Sequence, residues 1–257
     1  MSTTTPTSSD QRETYKQQLQ RIARAMATAK SKEVYGDLEE GSKPELLKEF
    51  VDGNLDKRLE KLDKSLELVK ESLGEQFEEM AVEFIKSLPM GAYDSGQYDG
   101  EKFLVWLVEN KSLTPEQRDH VACQRARHAI ESMGRNQRMA HVRFQEYGSL
   151  AEELANELET NPGLQIHLNP IRVWSKFETG ELLGEEVDEP IDVLFFAVRN
   201  ETSTAVLEDD GRELVEELAT LSPVSLATWV ALSEHADRDE LIELCRDLAE
   251  MGLVAFS

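Results

Sequence analysis

The stretch GLQIHLNPIRVW, residues 163–174, is where the hydrophobic period of this chain changes. Upstream, apolar residues recur every three or four positions, the spacing that lines one face of an α-helix. From Gln165 to Trp174 they alternate with polar ones, the two-residue period of a half-buried strand. Asn161-Pro162-Gly163 stops a helix just before this point and reads as a domain boundary. The expectation is an α+β protein, with an all-helical domain over 11–162 and a second domain over 163–257. Residues 1–10 lack apolar anchors and read as a disordered tail.

Downstream of the boundary, 191–198 predicts a second strand. Residues 204–207 predict a third, reached through the polar turn Asn200-Glu201-Thr202. Asp209-Asp210-Gly211 then leads into three helices, 212–221, 223–236 and 238–251. The last is opened by Asp237 as cap with Glu240 three residues on, and Gly252 stops it before a short strand at 253–256. Three strands, three helices and a closing strand have a winged-helix-like outline.

Upstream, Leu19, Ile22, Ala23 and Met26 predict a helix within 11–30. Leu55, Leu59, Leu62, Leu66, Val69 and Leu73 form one stripe of a long helix, with Lys and Glu on its other faces. Such a stripe either packs internally or zips onto a second copy of the chain; in a chain with other apolar helices the internal packing is favoured. A second amphipathic segment carries Phe77, Met80, Phe84, Ile85 and Leu88, and the glycines of 89–100 mark a loop. After a short apolar helix at 103–108, Thr114-Pro115-Glu116-Gln117 opens a helix expected to run to about Tyr147. Another follows at 149–159.

Charge narrows the functional classes. The chain has 51 Asp and Glu against 28 Lys and Arg, a net charge of −23, which repels phosphate backbones and anionic membranes at long range. In 163–257 the imbalance is 21 acidic residues to 6 basic. The final helix has two arginines against six carboxylates, so a major-groove reading head is disfavoured. The two cysteines, Cys123 and Cys245, suggest neither a disulfide framework nor a thiolate metal site. The N-terminus lacks the pattern of a signal peptide, and the uncharged run 218–233 is too short and polar to span a bilayer, so a cytoplasmic protein is expected.

No catalytic constellation emerges: there is no Gly-rich elbow around a serine, no phosphate loop, and no pair of histidines four apart. His120, Cys123 and His128 share a helix, but Cys123 and His128 project about 140° apart, so the three cannot hold one metal from it. No metal or cofactor is expected in the chain. The basic segment containing Arg118, Arg125, Arg135 and Arg138 reads either as a face packed on acidic neighbours or as a partner-docking surface. In the second domain, the strand before the helices offers backbone groups for strand addition. Thr204, Ala205, Val206 and Leu207 would form that edge. Leu241, Leu244, Cys245 and Leu248 read as the wall of a peptide groove or as ordinary core.

Three stretches carry a family resemblance. The run ELLKEFVDGNLDKRLEKLDKSLELVKESLGEQFEEMAVEFIKSLP resembles the helical domain of a bacterial family labelled putative DNA-binding, with Gly74, Glu75 and Phe77 at its turn. LQIHLNPIRVWSKF resembles that family's entry into its C-terminal domain. VLEDDGRELVEELATLSPVSLATWVAL through DRDELIELCRDLAEMGLV resembles a PqqD-type peptide-recognition domain. Such proteins are similar to the accessory partners of multinuclear non-haem iron oxidases that modify ribosomally made peptides. The resemblance implies a non-catalytic chain that holds a precursor peptide and docks on the oxidase, the iron lying in that partner. The alternatives are a DNA-binding transcription regulator acting through the arginines, and a homodimeric scaffold zipped by 55–73.

Overall fold

A leucine every third or fourth position leaves one face of a helix to bury, and the chain buries it against itself. The structure is a computed structural model that describes residues 44–88, 99–184, 187–199 and 201–257, together with Gln17, Gln20 and Ala23. The tail 1–10 and most of the helix expected within 11–30 lie outside these residues. The fold is α+β, mostly helical, with two small antiparallel sheets. It divides into two units, 1–117 and 118–257.

In the first unit the leucine stripe runs along α1 (Pro44–Ser65) and α2 (Glu67–Leu73), followed by α3 (Gln76–Ser87) and α4 (Asp99–Asn110). The expected single helix is broken at Leu66 (φ −127°, ψ 40°), although Leu66 still bonds back to Leu62 and Lys70 to Leu66. Leu62, Leu66, Val69 and Leu73 are buried within the unit, beside Phe77, Phe84 and Phe103. The rings of Phe77 and Phe84 stand 5.7 and 5.3 Å from Phe103. Burial of these side chains favours the internal packing over a zipper seam.

The second unit contains α5 (Pro115–Asn136, from its second turn), α6 (Arg138–Gly148), α7 (Ala151–Glu157), β1 (Gln165–Leu168), β2 (Arg172–Phe177), β3 (Ile191–Val198), β4 (Glu201–Val206), α8 (Asp209–Leu221), β5 (Val224–Ser225), α9 (Leu226–Leu232), α10 (Arg238–Glu250) and β6 (Val254–Phe256). Residues 118–162 therefore belong with the strands. The boundary expected at 162/163 falls instead at 117/118, and Asn161-Pro162-Gly163 is a turn inside the unit.

Asp119 shows why. Its carboxylate, 1% exposed, accepts from the backbone N–H groups of Glu178 (2.6 Å) and Thr179 (2.7 Å) and from the Thr179 hydroxyl (2.7 Å). At the other end of α5, a Cβ on Gly134 would lie 3.8 Å from Ile171. Between these ties the helix rises about 22 Å and the chain from Ile171 to Glu178 advances about 23 Å. The match in length lays α5 antiparallel along β2.

One sheet has the order β2-β3-β4, with Leu194 opposite Trp174 and Ala205. Strand alternation sends Leu194, Phe196, Trp174 and Ala205 to one face, where they join Leu214, Leu218, Trp229, Leu241, Cys245 and Leu248 in the main core. Val193, Phe195 and Phe177 point to the other face and are also buried. That face requires a second layer, and the buried stripe of α5, Cys123, Ala126 and Ile130 on the same side of the helix as Asp119, supplies it. The other sheet has the order β5-β1-β6.

Several details depart from the sequence reading. The strand expected over 165–174 is two strands in different sheets, because fully buried Asn169 turns the chain. It donates to the carbonyls of Ala197 (2.8 Å) and Gly252 (3.3 Å) and accepts from Ile171 N–H (3.0 Å). The helix expected over 114–147 is interrupted at Gln137, and the one over 223–236 begins with the short strand β5. Among the described residues of 163–257 the three expected α-helices are present as α8, α9 and α10, while the three expected strands and the closing strand become six strands. Both expected capping boxes are present, Asp237 with Glu240 and Thr114 with Gln117.

Candidate functional site

β4 is the last strand of its sheet: it pairs with β3 on one side, and among the described residues no strand lies on the other. An unpaired edge presents a row of N–H and C=O groups that an extended segment can complete. Strand alternation decides what such a segment would touch. Ala205 faces the core and is buried. Thr204 and Val206 point to the opposite face and are exposed, Val206 by 51%. Leu207, just beyond the strand, is half-buried. The strand starts at Glu201, three residues before the expected 204, so the edge is longer than the sequence reading implied.

The edge has unlike ends. Past Val206 stand three exposed carboxylates, Glu208, Asp209 and Asp210, at the start of α8. Before Glu201 stands Arg199, which is exposed and has φ 55°. Its carbonyl accepts from Gln145 Nε2 of α6 at 3.0 Å, and His141 Nε2 lies 3.2 Å from the same oxygen. These contacts tie the Arg199 backbone to α6.

The expected groove wall is placed differently. Leu241, Cys245 and Leu248 are fully buried, and of the four only Leu244 is half-exposed. The chain's own side chains fill the space in front of them, and α10 packs against α7, α9 and β6. A peptide on β4 would therefore meet none of these three directly. Burial also pushes the Cys245 thiol up to about 12, which keeps it protonated and unreactive. Cys123 is shifted in the same direction, mainly by burial.

The four arginines separate in the same way. Arg118 is committed within the fold: Nε and Nη2 each donate to Glu178 at 2.6 Å, an interaction that also holds the Glu178 carboxyl below its ordinary range. Arg135 lies 3.9 Å from Glu131. Arg125 and Arg138 are exposed. The arginines of α10 are occupied at one point on the turn after α7: Arg238 donates to the Glu159 carbonyl (2.9 Å) and Arg246 to its carboxylate (2.8 Å).

His167 and Ser257 close the exposed side of the second sheet. His167 Nε2 lies 2.8 Å from the Ser257 hydroxyl, and its ring is 4.6 Å from Tyr147. Burial pulls the imidazole below its ordinary pKa. Gln165 and Ser257 exchange backbone hydrogen bonds beside them.

Among the described residues no helix is long and apolar enough to cross a membrane. No family model matches the chain, and no curated protein matches it.

Proposed function

We propose that this chain is a non-catalytic peptide-binding protein that takes up an extended segment of a precursor peptide along the outer edge of β4 and presents it to a partner enzyme. The observation that supports the reading is the unpaired edge itself, with exposed Thr204 and Val206 alternating with core-anchored Ala205. A rigid sheet with an open edge at β4 pre-organises the backbone donors and acceptors, so the incoming segment bears most of the ordering cost. The carboxylates of Glu208, Asp209 and Asp210 favour a peptide with basic residues at that end.

The resemblance to accessory partners of iron oxidases supplies the class of the partner. In this reading the arrangement of α8, β5, α9, α10 and β6, with β1 as the third strand, is a winged-helix-like core put to use as a peptide platform. Transcription control through α10 has less support, since both of its arginines are bound to Glu159 and six carboxylates flank them.

Amide hydrogen exchange with and without short peptides encoded beside its gene tests the proposal. Strand addition should slow exchange at alternate amides across 201–207, and Val206→Asp should weaken binding. A peptide that binds while leaving β4 amides unchanged, or the failure of every such peptide to bind, would refute it.

A further inference from the structure

We infer that α6, with Arg199 beside it, is a docking ridge for an acidic amphipathic helix of a partner protein. The ridge is independent of the β4 edge and does not require a peptide there.

Two exposed apolar side chains lie on α6, Met139 at 80% and Val142 at 40%. Arg138 and Arg143 are exposed on the same helix. At about 100° per residue these four fall within roughly 140° of the helix surface, in the angular order Arg138, Val142, Met139, Arg143. A short apolar strip is thus bounded by a guanidinium on each side, and exposed Glu146 lies in line with it further along the helix. Arg135, exposed at the end of α5, adds a third cation three residues before Arg138. Arg199 adds a fourth, because its carbonyl is bonded to His141 and Gln145 on the flank of α6 next to Arg138.

The occupancy of these cations is informative. In a chain with 51 acidic residues to 28 basic ones, a surface arginine has many potential partners. Arg118, Arg212 and Arg246 have all found one. Arg138 and Arg143 make no ion pair among the described residues. The inner face of α6 is fully used: Phe144 is buried, Tyr147 lies on His167, and the helix packs along β6. The outer face is left with the composition of an interface, apolar at the centre and arginine-rich at the rim.

The complement of this pattern is a helix with a leucine- or methionine-type stripe between rows of carboxylates. Each arginine would meet a carboxylate with matched geometry, and Met139 and Val142 would be covered. Duplex DNA fits less well. Phosphates make no use of Met139 and Val142. A polyanion also feels the −23 charge of the chain far more than a helix with three or four carboxylates does.

The test uses the full chain and a fluorescein-labelled synthetic helix of about five turns, with leucines on one stripe and glutamates on both sides. Anisotropy should report saturable binding that Arg138→Glu combined with Arg143→Glu weakens by at least about tenfold. Met139→Ser should weaken it several-fold, and raising NaCl from about 50 to about 300 mM should weaken it further. Val206→Asp should leave this binding unchanged, so failure here and failure of the β4 edge are separable. Equal binding of a sequence-scrambled peptide, unchanged binding in the α6 variants, or displacement of the helix by duplex DNA would overturn the proposal.

Discussion

Replacing Asp119 by alanine removes the acceptor for three donors, Glu178 N–H, Thr179 N–H and the Thr179 hydroxyl, at distances of 2.6 to 2.7 Å. The hydroxyl of half-buried Thr179 can turn to water. The two backbone donors lose a charged partner, at about 1.5–3 kcal/mol each when fully desolvated. Water entering the small space left by the carboxylate recovers part of this, so the expected loss is about 3 kcal/mol. The substitution Asp119→Asn keeps one acceptor oxygen and should lose about half as much. Urea unfolding followed by tryptophan fluorescence in a Trp106→Phe background reads only Trp174 and Trp229, which belong to the 118–257 unit. With a slope of about 2–3 kcal/mol/M the midpoint should fall by roughly 1–1.5 M for Asp119→Ala. Arg118→Ala, which removes an exposed pair, should cost under about 1 kcal/mol. A loss below about 0.5 kcal/mol for Asp119→Ala would refute the argument that this carboxylate fastens α5 to β2.

Other expectations concern burial and backbone geometry. Under native conditions neither Cys123 nor Cys245 should react with a thiol reagent within minutes, and both should react in denaturant; rapid labelling of Cys245 would mean that an open groove reaches it. Burial sets the folded pKa of His167 below its unfolded value near 6.5, so as pH falls through that value the unfolded chain takes up a proton that the fold resists. Stability should therefore drop with acidification in that window, and the drop should be smaller in His167→Gln; identical pH profiles for the two proteins would exclude this linkage. Gly252 has φ 79°, and an added Cβ would come within 3.3 Å of Val198. Gly252→Ala should cost roughly 1 kcal/mol or more, measured as a lower melting temperature.

Local signals were read reliably from the sequence. The change of period after Gly163, the leucine stripe and both capping boxes each depend on residues within one or two turns of one another. What escaped depends on partners far along the chain. Asp119 belongs to the second unit because of Glu178 and Thr179, some sixty residues later, and nothing in the periodicity of α5 says on which apolar surface it will lie. The corner at Asn169 is held by carbonyls of Ala197 and Gly252, so an alternating run that looked continuous is divided between two sheets. Leu241, Cys245 and Leu248 illustrate a different limit. A core stripe and a groove wall have the same spacing, and only the surrounding packing distinguishes them. The arginines were visible as a cluster, whereas the exposure of Met139 and Val142 between them was not.

The position of β1 has a consequence for how the molecule is made. Gln165–Leu168 is the middle strand of its sheet, yet one neighbour, Val224–Ser225, follows after the whole β2-β3-β4 meander and the other, Val254–Phe256, only after α10. A ribosome delivers the centre of this sheet long before either flank, and the closing pair Ile166 with Phe256 must bridge ninety residues of chain. The β2-β3-β4 meander is made of sequence neighbours and can assemble first. β1 then waits with both edges bare, and the pairing with Val254–Phe256 is the step that completes the sheet and ends its exposure to aggregation.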